Sequence, residues 1–446
     1  MRRVAVIGSG IAGLSTAWHL SAPDQHCQVT LYEAGDYLGG HTHTVDVTLP
    51  GADGRLHTQG VDTGFLVFNH RTYPELLKLF ADLGVETAAS DMSFSVQAER
   101  GALEWSGCNL DTVFAQRRNL FNPRFLGMLR ELVRFNRRAT ALARAGSEAQ
   151  LAQSIGDFLD AEGYSDTFRR WYFLPMIGCI WSCPTAQMLR FPVATMIRFC
   201  HNHGLLQVSD RPQWYTVTGG ARNYVEKMRP RLRDVRLNTP VRAVRRLVSG
   251  GAMVSAADGD ALFDEVVLAC HSDQALRLLG ADATPDEVRV LGAIRYHPNR
   301  AVLHTDVAQL PRRQKAWAAW NYEHAGDSGT EDAGVCLHYL LNRLQPMPFA
   351  QPVVVSLNPV RPVRAEHVLA AFDYSHPVFD RAAIDAQRHL PDIQGQRSTW
   401  FCGAWTGYGF HEDGLKSGLT VVRGLQQRWI GGHLASVTSA RRAVPA

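Results

Sequence analysis

The sequence predicts an α/β fold in which a domain built on a parallel sheet is interrupted by a second, discontinuous α+β domain. Three observations favour this organisation. The chain has 446 residues, more than one ordinary core accommodates. A strand, a glycine-rich turn and a helix follow one another at the N-terminus. Helical patterns replace strand patterns after about residue 85, and strand patterns return near residue 214.

The composition is that of a globular protein, with 46% hydrophobic and 20% charged residues. The net charge of +4 is too small to indicate nucleic-acid binding. Eight scattered cysteines are typical of reduced cytoplasmic thiols. No apolar run reaches the roughly 18 residues of a membrane span, and glycines interrupt the N-terminal apolar stretch, so we expect no signal peptide. The sequence therefore predicts a cytoplasmic protein and leaves its oligomeric state open.

The N-terminal segment "VAVIGSGIAGLSTAWHL" combines a buried-strand run with three spaced glycines and a helical pattern. Gly8 allows the tight turn, Gly10 lets the backbone approach a pyrophosphate, and Gly13 lets the helix pack on the strand. A second strand ends at Glu33, whose carboxylate can accept hydrogen bonds from a ribose. The pattern predicts a Rossmann-type dinucleotide site. Its candidate contacts are Gly8, Gly10, Ile11, Ala12, Gly13, Glu33 and Ala34.

The next segment indicates which dinucleotide binds. The doublet Gly39–Gly40, which alone is also compatible with an ordinary loop, resembles the second glycine motif of the FAD-dependent amine oxidase superfamily. An arginine often follows that motif, whereas His41 and Thr42 follow here. The segment Val61–Asn69 resembles the one that passes beside the flavin ring. The resemblance implies FAD as the cofactor. It adds as contacts Gly39, Gly40, His41, Thr42, Gly64 and Phe65.

The resemblance also implies a glutathione-reductase-like arrangement of segments. The FAD-binding domain is expected to comprise residues 1–84, 214–285 and 393–432, and the substrate domain residues 85–213 and 286–392. Residues 433–446 lack an apolar period and are predicted to form a C-terminal tail. Relatives touch the adenine through a valine in the second of the cofactor segments, and Val241 is its counterpart here.

The stretch "FCGAWTGYGFHEDGLKSGL" resembles the strand end and helix that meet the flavin in this superfamily. Gly403 lets the backbone run against the flat ring. The N–H groups of Asp413, Gly414 and Leu415, at the start of the helix, are expected to stabilise negative charge on the flavin. No cysteine lies where a covalent flavin link is expected, so FAD is predicted to be non-covalent. The side chains expected on the substrate side of the ring are Trp405, Tyr408 and Phe410, with Tyr408 as a catalytic candidate.

Residues 121–138 form a strongly helical, arginine-rich pattern. One interpretation is a solvated cationic face over a core stripe. The other is a helix that lies on an anionic membrane surface.

Soft metal ligands are concentrated between Cys179 and His203, but their spacing fits no common zinc pattern. We therefore predict no metal and interpret this segment as the wall of an apolar substrate cavity. Trp181 and His203 are the candidate substrate contacts.

Amine oxidases place a lysine near the predicted strand at 296–306, where it holds a water beside the flavin. This strand contains no lysine, and His304 is the nearest polar candidate for that catalytic role. The alternative is a histidine that lies outside the site.

The motifs "IWSCP", "NHGLL" and "GYGFHEDGL" resemble a bacterial branch associated with cyclopropane and methyl-branched fatty acid synthesis. This implies an FAD-dependent oxidoreductase that accepts a hydride from a membrane lipid acyl chain, with peripheral contact at the inner face of the membrane. An amine oxidase acting on a small amine or polyamine, an isomerase without net redox change and a low-turnover flavin-containing binding protein are the alternatives.

Overall fold

The computed structural model describes residues 1–147, 151–207, 211–324 and 335–442, with the backbone alone for Arg100 and residues 431–442. The chain divides into two compact units. Unit 1 comprises Met1–Thr42, Tyr224–Ile294 and Asp385–Ala446, and unit 2 comprises His43–Asn223 and Arg295–Ile384. Each unit is therefore assembled from separate segments of the chain.

Unit 1 is built on a five-stranded parallel sheet, which confirms the predicted α/β fold. Its strands in spatial order are Asp234–Arg236, Cys27–Tyr32, Arg2–Ile7, Glu265–Leu268 and Thr399–Phe401. The first strand of the chain thus lies at the centre. Its residues Val4–Val6 are fully buried, which explains why they form a continuous apolar run and do not alternate.

A three-stranded antiparallel sheet and several helices complete unit 1. The sheet consists of Val241–Arg246, Ala252–Ala256 and Gly259–Phe263. The helices are Ile11–Leu20, Ser272–Leu279, Pro285–Gly292, Leu390–Ile393 and His411–Arg442. The chain passes between the units four times, and two of these passages lie within further helices, Arg222–Met228 and Arg381–Arg388.

Unit 2 contains a seven-stranded mixed sheet and two smaller sheets. The large sheet has the order Val368–Val378, Arg295–His304, Val354–Leu357, Cys336–Leu340, Trp320–Glu323, Phe94–Ala98 and Leu103–Ser106. A hairpin joins Thr44–Pro50 to Leu56–Asp62, and Trp214–Val217 lies between Phe68–Asn69 and Thr87–Ser90.

The helices of unit 2 lie mainly between residues 110 and 202. They are Pro74–Leu83, Leu110–Val113, Pro123–Ala145, Ile155–Ala161, Asp166–Phe168, Leu174–Trp181, Thr185–Leu189, Val193–Asn202 and Leu341–Leu344. Among the described residues, no helix combines the length and the apolar character that crossing a bilayer requires.

Two of the predicted domain boundaries differ from the structure because of strand pairing. Residues 43–84 and 214–223 were assigned to the FAD-binding domain but lie in unit 2. The strand Trp214–Val217 pairs with Phe68–Asn69 and with Thr87–Ser90, so that one sheet holds both segments together.

Residues 286–294 and 385–392 lie in unit 1, although the substrate domain was predicted to contain them. A buried ion pair between Arg246 and Glu287, 2.5 Å long, fixes the first of these segments to the antiparallel sheet. The predicted tail is helical as far as Arg442, because a helix that packing has already nucleated extends at little cost. Residues 443–446 lie outside the described part.

Candidate functional site

The glycine turn of unit 1 has the geometry that its sequence predicts. Gly8 has a φ of +105°, which side chains rarely adopt, and a Cβ there would lie 2.7 Å from the carbonyl oxygen of Ala269. A Cβ on Gly13 would lie 1.9 Å from the carbonyl oxygen of Gly8. Both glycines are therefore required by the protein's own packing.

Gly10 is different, because no protein atom lies within 4 Å of the position its Cβ would take. It is the N-cap of the helix Ile11–Leu20, and no side chain caps that helix. The N–H groups of this first turn, which includes Ile11 and Ala12, are thus available to a phosphate. Since protein packing does not demand glycine at this position, the open space is the observation that fits a bound pyrophosphate.

The carboxylate of Glu33 lies beside this turn. One oxygen accepts hydrogen bonds from the backbone N–H (2.9 Å) and the hydroxyl (2.5 Å) of Ser9, and the other accepts from the N–H of Gly35 (2.9 Å). A carboxylate has about four acceptor positions. Three protein bonds therefore orient Glu33 and leave one position for a ribose hydroxyl. The neighbouring Ala34 is exposed.

The glycine doublet packs directly against the first glycine turn. Gly39 donates its N–H to the carbonyl of Ser9 (3.0 Å) and forms an isolated bridge with Gly10. A Cβ on Gly40 would lie 3.1 Å from the Cα of Gly10. The two motifs, about thirty residues apart, therefore form one surface. His41, which follows the doublet, is partly exposed, whereas Thr42 is buried.

The segment that leads to Val241 reaches the same edge of unit 1. Thr239 donates its N–H to the carbonyl of Glu33 (2.9 Å), and Asn238 donates to that of Gly35 (2.8 Å). Val241 begins the antiparallel sheet two residues later. Its contact with adenine remains a prediction, for which this position is suitable.

The C-terminal helix begins against the start of the first helix. A Cβ on Gly414 would lie 2.8 Å from Cγ2 of Ile11, and a Cβ on Gly418 would lie 2.6 Å from the carbonyl oxygen of Ala12. The glycines therefore allow the two helix N-termini to meet within unit 1. Leu415 is buried in the same first turn.

Asp413 holds the loop that precedes this helix. One of its carboxylate oxygens accepts hydrogen bonds from the N–H groups of Tyr408 (3.1 Å) and Phe410 (3.0 Å). Burial raises the pKa of Asp413 to about 6, although these two hydrogen bonds oppose the rise. Because Phe410 precedes the first helical residue, this is one half of a capping box.

The aromatic residues of this loop differ in their surroundings. Trp405 is buried, and its indole N–H donates to the carbonyl of Cys270 (3.1 Å). The N–H of Gly403 donates to the hydroxyl of Ser417 (2.9 Å). The side chains of Tyr408 and Phe410 are partly exposed. Their roles toward a substrate remain predictions.

A buried polar triangle joins three distant parts of unit 1. The Nε2 atom of His411 lies 3.0 Å from the hydroxyl of Thr42 and 2.8 Å from that of Tyr224, and the two hydroxyls are 2.6 Å apart. Burial lowers the pKa of His411 to about 3, so this imidazole is neutral at pH 7. Sequence reasoning selected Thr42 but missed Tyr224 and His411, because no spacing links them.

The segment predicted to pass beside the flavin lies in unit 2. Gly64 and Phe65 follow the hairpin strand Leu56–Asp62 and are partly exposed. Asp62, just before them, is buried and accepts a hydrogen bond from the side-chain amide of Gln345 (2.7 Å) and from the N–H of Ala221. Burial raises the pKa of Asp62 to about 7. These bonds fix the backbone from which the two predicted contacts follow.

The structure argues against a catalytic role for His304. The residue is fully buried. Its Nε2 atom lies 2.7 Å from the hydroxyl of Ser356, and its Nδ1 atom accepts the N–H of Asp306 (3.0 Å). Each ring nitrogen serves one hydrogen bond. Protein partners therefore occupy both, and none is left for a water beside the flavin.

Trp181 and His203, the candidate substrate contacts, are both buried in unit 2. The Nδ1 atom of His203 lies 3.0 Å from the carbonyl of Phe199, on whose ring the imidazole stacks at 3.9 Å. Burial lowers the pKa of His203 to about 4. The ring of Trp181 also contacts Phe199, but its indole N–H has no hydrogen-bond partner.

The soft ligands of this segment are buried thiols, since burial raises the pKa of Cys183 and Cys200 to about 12. Within the described residues a different group has its potential ligand atoms within 4.8 Å of one another, namely Glu323, Cys336 and His338. The imidazole of His338 bridges the carboxylate of Glu323 (2.9 Å) and the hydroxyl of Ser356 (2.6 Å). Cys336 and His338 lie two residues apart on one strand, and this C-x-H spacing was the sequence signal for the group that the sequence analysis missed.

The residues of unit 1 fit FAD. The uncapped helix with open space at Gly10 would hold the pyrophosphate, Glu33 would hold the ribose, and the N-terminus of the C-terminal helix would face developing negative charge. When bound, FAD supplies hydride-transfer chemistry that no side chain can perform. The protein supplies orientation and fixed hydrogen-bond donors.

Comparisons with known proteins agree with this assignment. Cyclohexylamine oxidase from Brevibacterium oxydans IH-35A has a TM-score of 0.66 at 16% identity, covering 95% of this chain and 99% of its own. A CLA-producing fatty acid isomerase from P. acnes has a TM-score of 0.65 at 16% identity, covering 95% of this chain and 98% of its own. A putrescine oxidase bound to putrescine has 0.65 at 15%, covering 96% and 99%. At these identities the similarity shows the fold.

A search of curated proteins found no match. The family model of the flavin containing amine oxidoreductases matches residues 11–356. This covers more than two thirds of the chain and includes the first helix, which is part of the predicted dinucleotide site. The chain therefore belongs to the flavin-containing amine oxidoreductase family and is an FAD-dependent oxidoreductase.

Proposed function

We propose that this oxidoreductase acts on the fatty acyl chain of a membrane lipid, most simply by desaturation. The observation that carries the proposal is the buried indole of Trp181. It is 5% exposed and lies against the rings of Phe191 and Phe199, and its N–H has no partner. An indole N–H only donates, so it can bind an ester or carboxylate oxygen and cannot bind an ammonium group.

The buried acids of unit 2 support the same choice. A buried ammonium needs an available carboxylate. Asp62 already accepts several protein hydrogen bonds, Glu104 accepts from Arg313 (3.2 Å), and Asp306 pairs with Arg364 (2.6 Å). Among the described residues of unit 2 these are the fully buried carboxylates, and each already binds hydrogen-bond donors of the protein. An acyl chain requires no such charge.

The resemblance to the fatty-acid-associated bacterial branch favours the lipid substrate as well. Oxidation of a small amine or polyamine is the second candidate, because putrescine oxidase and cyclohexylamine oxidase match with TM-scores of 0.65 and 0.66, similar to the 0.65 of the fatty acid isomerase. The overall fold thus does not separate the substrates. The chemistry of the buried groups favours the lipid.

An anaerobic reduction experiment tests the proposal. Purified FAD-loaded protein is mixed with phospholipids that carry unsaturated or methyl-branched chains, solubilised in detergent micelles, and in parallel with a set of polyamines. Bleaching of the flavin absorbance by the lipids, together with a lipid product lighter by two hydrogens, is the expected result. Bleaching by amines alone would overturn the lipid assignment. A shifted double bond at unchanged mass would replace desaturation by isomerisation.

A further inference from the structure

We propose that unit 2 binds an anionic lipid bilayer through residues 110–138, here called the docking surface, and that an arginine-lined cavity on this surface holds a lipid phosphate. The inference rests on the proposed function in that the bilayer would contain the substrate. The contacts that support it are separate from those of the dinucleotide site.

Positive charge is concentrated on the docking surface. Residues 117–138 contain seven arginines and one glutamate, a net charge of +6, so that the rest of the chain, whose total is +4, is net negative. Among the described residues, Arg124, Arg130 and Arg137 have no hydrogen-bond or ion-pair partner for their guanidinium groups, whereas that of Arg118 binds a backbone carbonyl and Arg138 pairs with Glu162 (2.8 Å). A segment with unpaired arginines is attracted to anionic lipids over about one Debye length.

In residues 110–121, the turn segment that precedes the long helix, two uncharged polar residues are buried while three apolar residues are exposed. Phe121 is 86% exposed, Leu110 78% and Leu120 43%. In the same turn Gln116 and Asn119 are 2% and 1% exposed. This arrangement is the reverse of what a water-facing surface favours, and an exposed apolar patch rimmed by charge is typical of an interaction surface.

The exposed apolar residues are held in place by ordered contacts. Arg117 pairs with Asp111, and the rings of Phe114 and Phe125 are 5.9 Å apart. The side chain of Asn122 caps the helix Pro123–Ala145. The turn therefore presents its leucines and phenylalanine from a defined backbone, which lowers the entropic cost of inserting them into a bilayer.

A cavity of about 430 Å³ lies on the same helix. Its polar lining is formed by Arg124, Arg130, Glu131, Arg134, Ser165 and Thr167. Glu131 is occupied by the N–H (3.1 Å) and hydroxyl of Ser165. Arg134 pairs with Glu131 (3.7 Å), so Arg124 and Arg130 are the lining arginines without a carboxylate partner. The cavity therefore suits a phosphate, which arginine binds with charge-assisted hydrogen bonds.

The combination of features favours a bilayer over another polyanion. A nucleic acid or an acidic polypeptide would match the arginines. Neither would require Leu110, Leu120 and Phe121 to be exposed beside them. A bilayer matches both, with its phosphates at the arginines and its acyl chains at the apolar turn.

Vesicle sedimentation of the FAD-loaded full chain tests the docking surface. Three unpaired arginines, each worth about fivefold near an anionic surface, predict binding to phosphatidylglycerol-containing vesicles roughly 100-fold tighter than to phosphatidylcholine vesicles, and weakening with salt. Equal binding to both vesicles would overturn the proposal. The variant Leu120→Ser/Phe121→Ser should bind at least about tenfold more weakly. Its control is Leu56→Ser, which removes a leucine 71% exposed in the same unit and should change nothing. An equal loss in both variants would contradict the assignment to this turn.

A matched pair of arginines on one helix tests the cavity. Arg130 lines it, whereas Arg137 does not. If a lipid phosphate binds in the cavity, Arg130→Gln should weaken binding to the anionic vesicles several-fold more than Arg137→Gln. Equal losses of vesicle affinity in the two variants would mean that only the overall positive charge matters, and would overturn the phosphate site.

The docking surface and the proposed function can fail separately. The variant Leu120→Ser/Phe121→Ser should reduce its flavin normally with lipid in detergent micelles and fail with lipid in vesicles. If lipid in micelles reduces the flavin of the wild-type protein but the protein does not bind vesicles, the docking surface alone is overturned. If the wild-type protein binds anionic vesicles but no lipid reduces its flavin, the proposed function alone is overturned.

Discussion

Replacing Gly10 by alanine should separate cofactor binding from folding. Its Cβ would meet no protein atom within 4 Å, and the backbone has a φ of −61°, which alanine adopts freely. The variant apoprotein should therefore be as stable as wild type or more stable, by about 0.4–1 kcal/mol, because alanine restricts the unfolded chain. The same methyl group occupies the space assigned to the pyrophosphate. A methyl group forced into a packed contact costs about 1–3 kcal/mol, which corresponds to roughly a 5- to 150-fold loss of FAD affinity.

The two quantities are measured separately, by denaturant unfolding of the apoprotein and by titration of the apoprotein with FAD. Gly13→Ala provides the contrast, since its Cβ would lie 1.9 Å from the carbonyl oxygen of Gly8 and should destabilise the fold itself. Gly127→Ala provides the control. Gly127 is an exposed residue of the helix Pro123–Ala145 with no atom near its Cβ, and the substitution should add about 1 kcal/mol of stability without changing FAD affinity.

The reasoning fails if Gly10→Ala binds FAD as tightly as wild type. It fails equally if the variant unfolds as readily as Gly13→Ala, because the glycine would then be needed for packing and not for a ligand.

Three further predictions concern buried polar groups. Trp181→Phe and Trp105→Phe each remove the same volume from a buried site, but only Trp105→Phe also loses a hydrogen bond, 3.2 Å long, to a carbonyl. Trp181→Phe should therefore cost about 1 kcal/mol less stability than Trp105→Phe, while its KM for lipid rises. An unchanged KM in Trp181→Phe would count against the lipid contact. His304→Asn should lower the free energy of unfolding by about 1–3 kcal/mol and leave the rate of flavin reduction, followed by stopped flow, within a few-fold of wild type; a loss of the chemical step with full stability would restore its catalytic role. His411 has its pKa lowered by burial to about 3, so between about pH 6.5 and 3 the unfolded chain binds a proton that the folded chain does not. The free energy of unfolding therefore falls with falling pH, by up to about 1.4 kcal/mol per pH unit from this residue. In urea titrations His411→Gln should show a shallower fall between pH 6.5 and 4.5 than wild type. Parallel slopes in the two proteins would mean that His411 titrates normally in the folded protein.

The sequence by itself determined the dinucleotide site of unit 1. A strand, a glycine turn and a helix are local structures. Gly8 is dictated by its positive φ and Gly13 by its contact with Gly8, and the open space at Gly10 fits a ligand. The spacing of Glu33 is equally local. The approach of the C-terminal helix to the first helix at Gly414 and Gly418 is not local, and the sequence did not predict it.

Only the tertiary structure decided which polar groups remain available. The triangle of Thr42, Tyr224 and His411 joins residues up to 369 positions apart, and the partners of His304 occupy both of its nitrogens. It also showed that Gln116 is buried where Phe121 is exposed. Periodicity reports which face of a local element is apolar, but hydrogen-bond partners and exposure depend on segments that fold back from elsewhere in the chain. No local pattern records them, and they became known when the sheets of each unit brought those segments together.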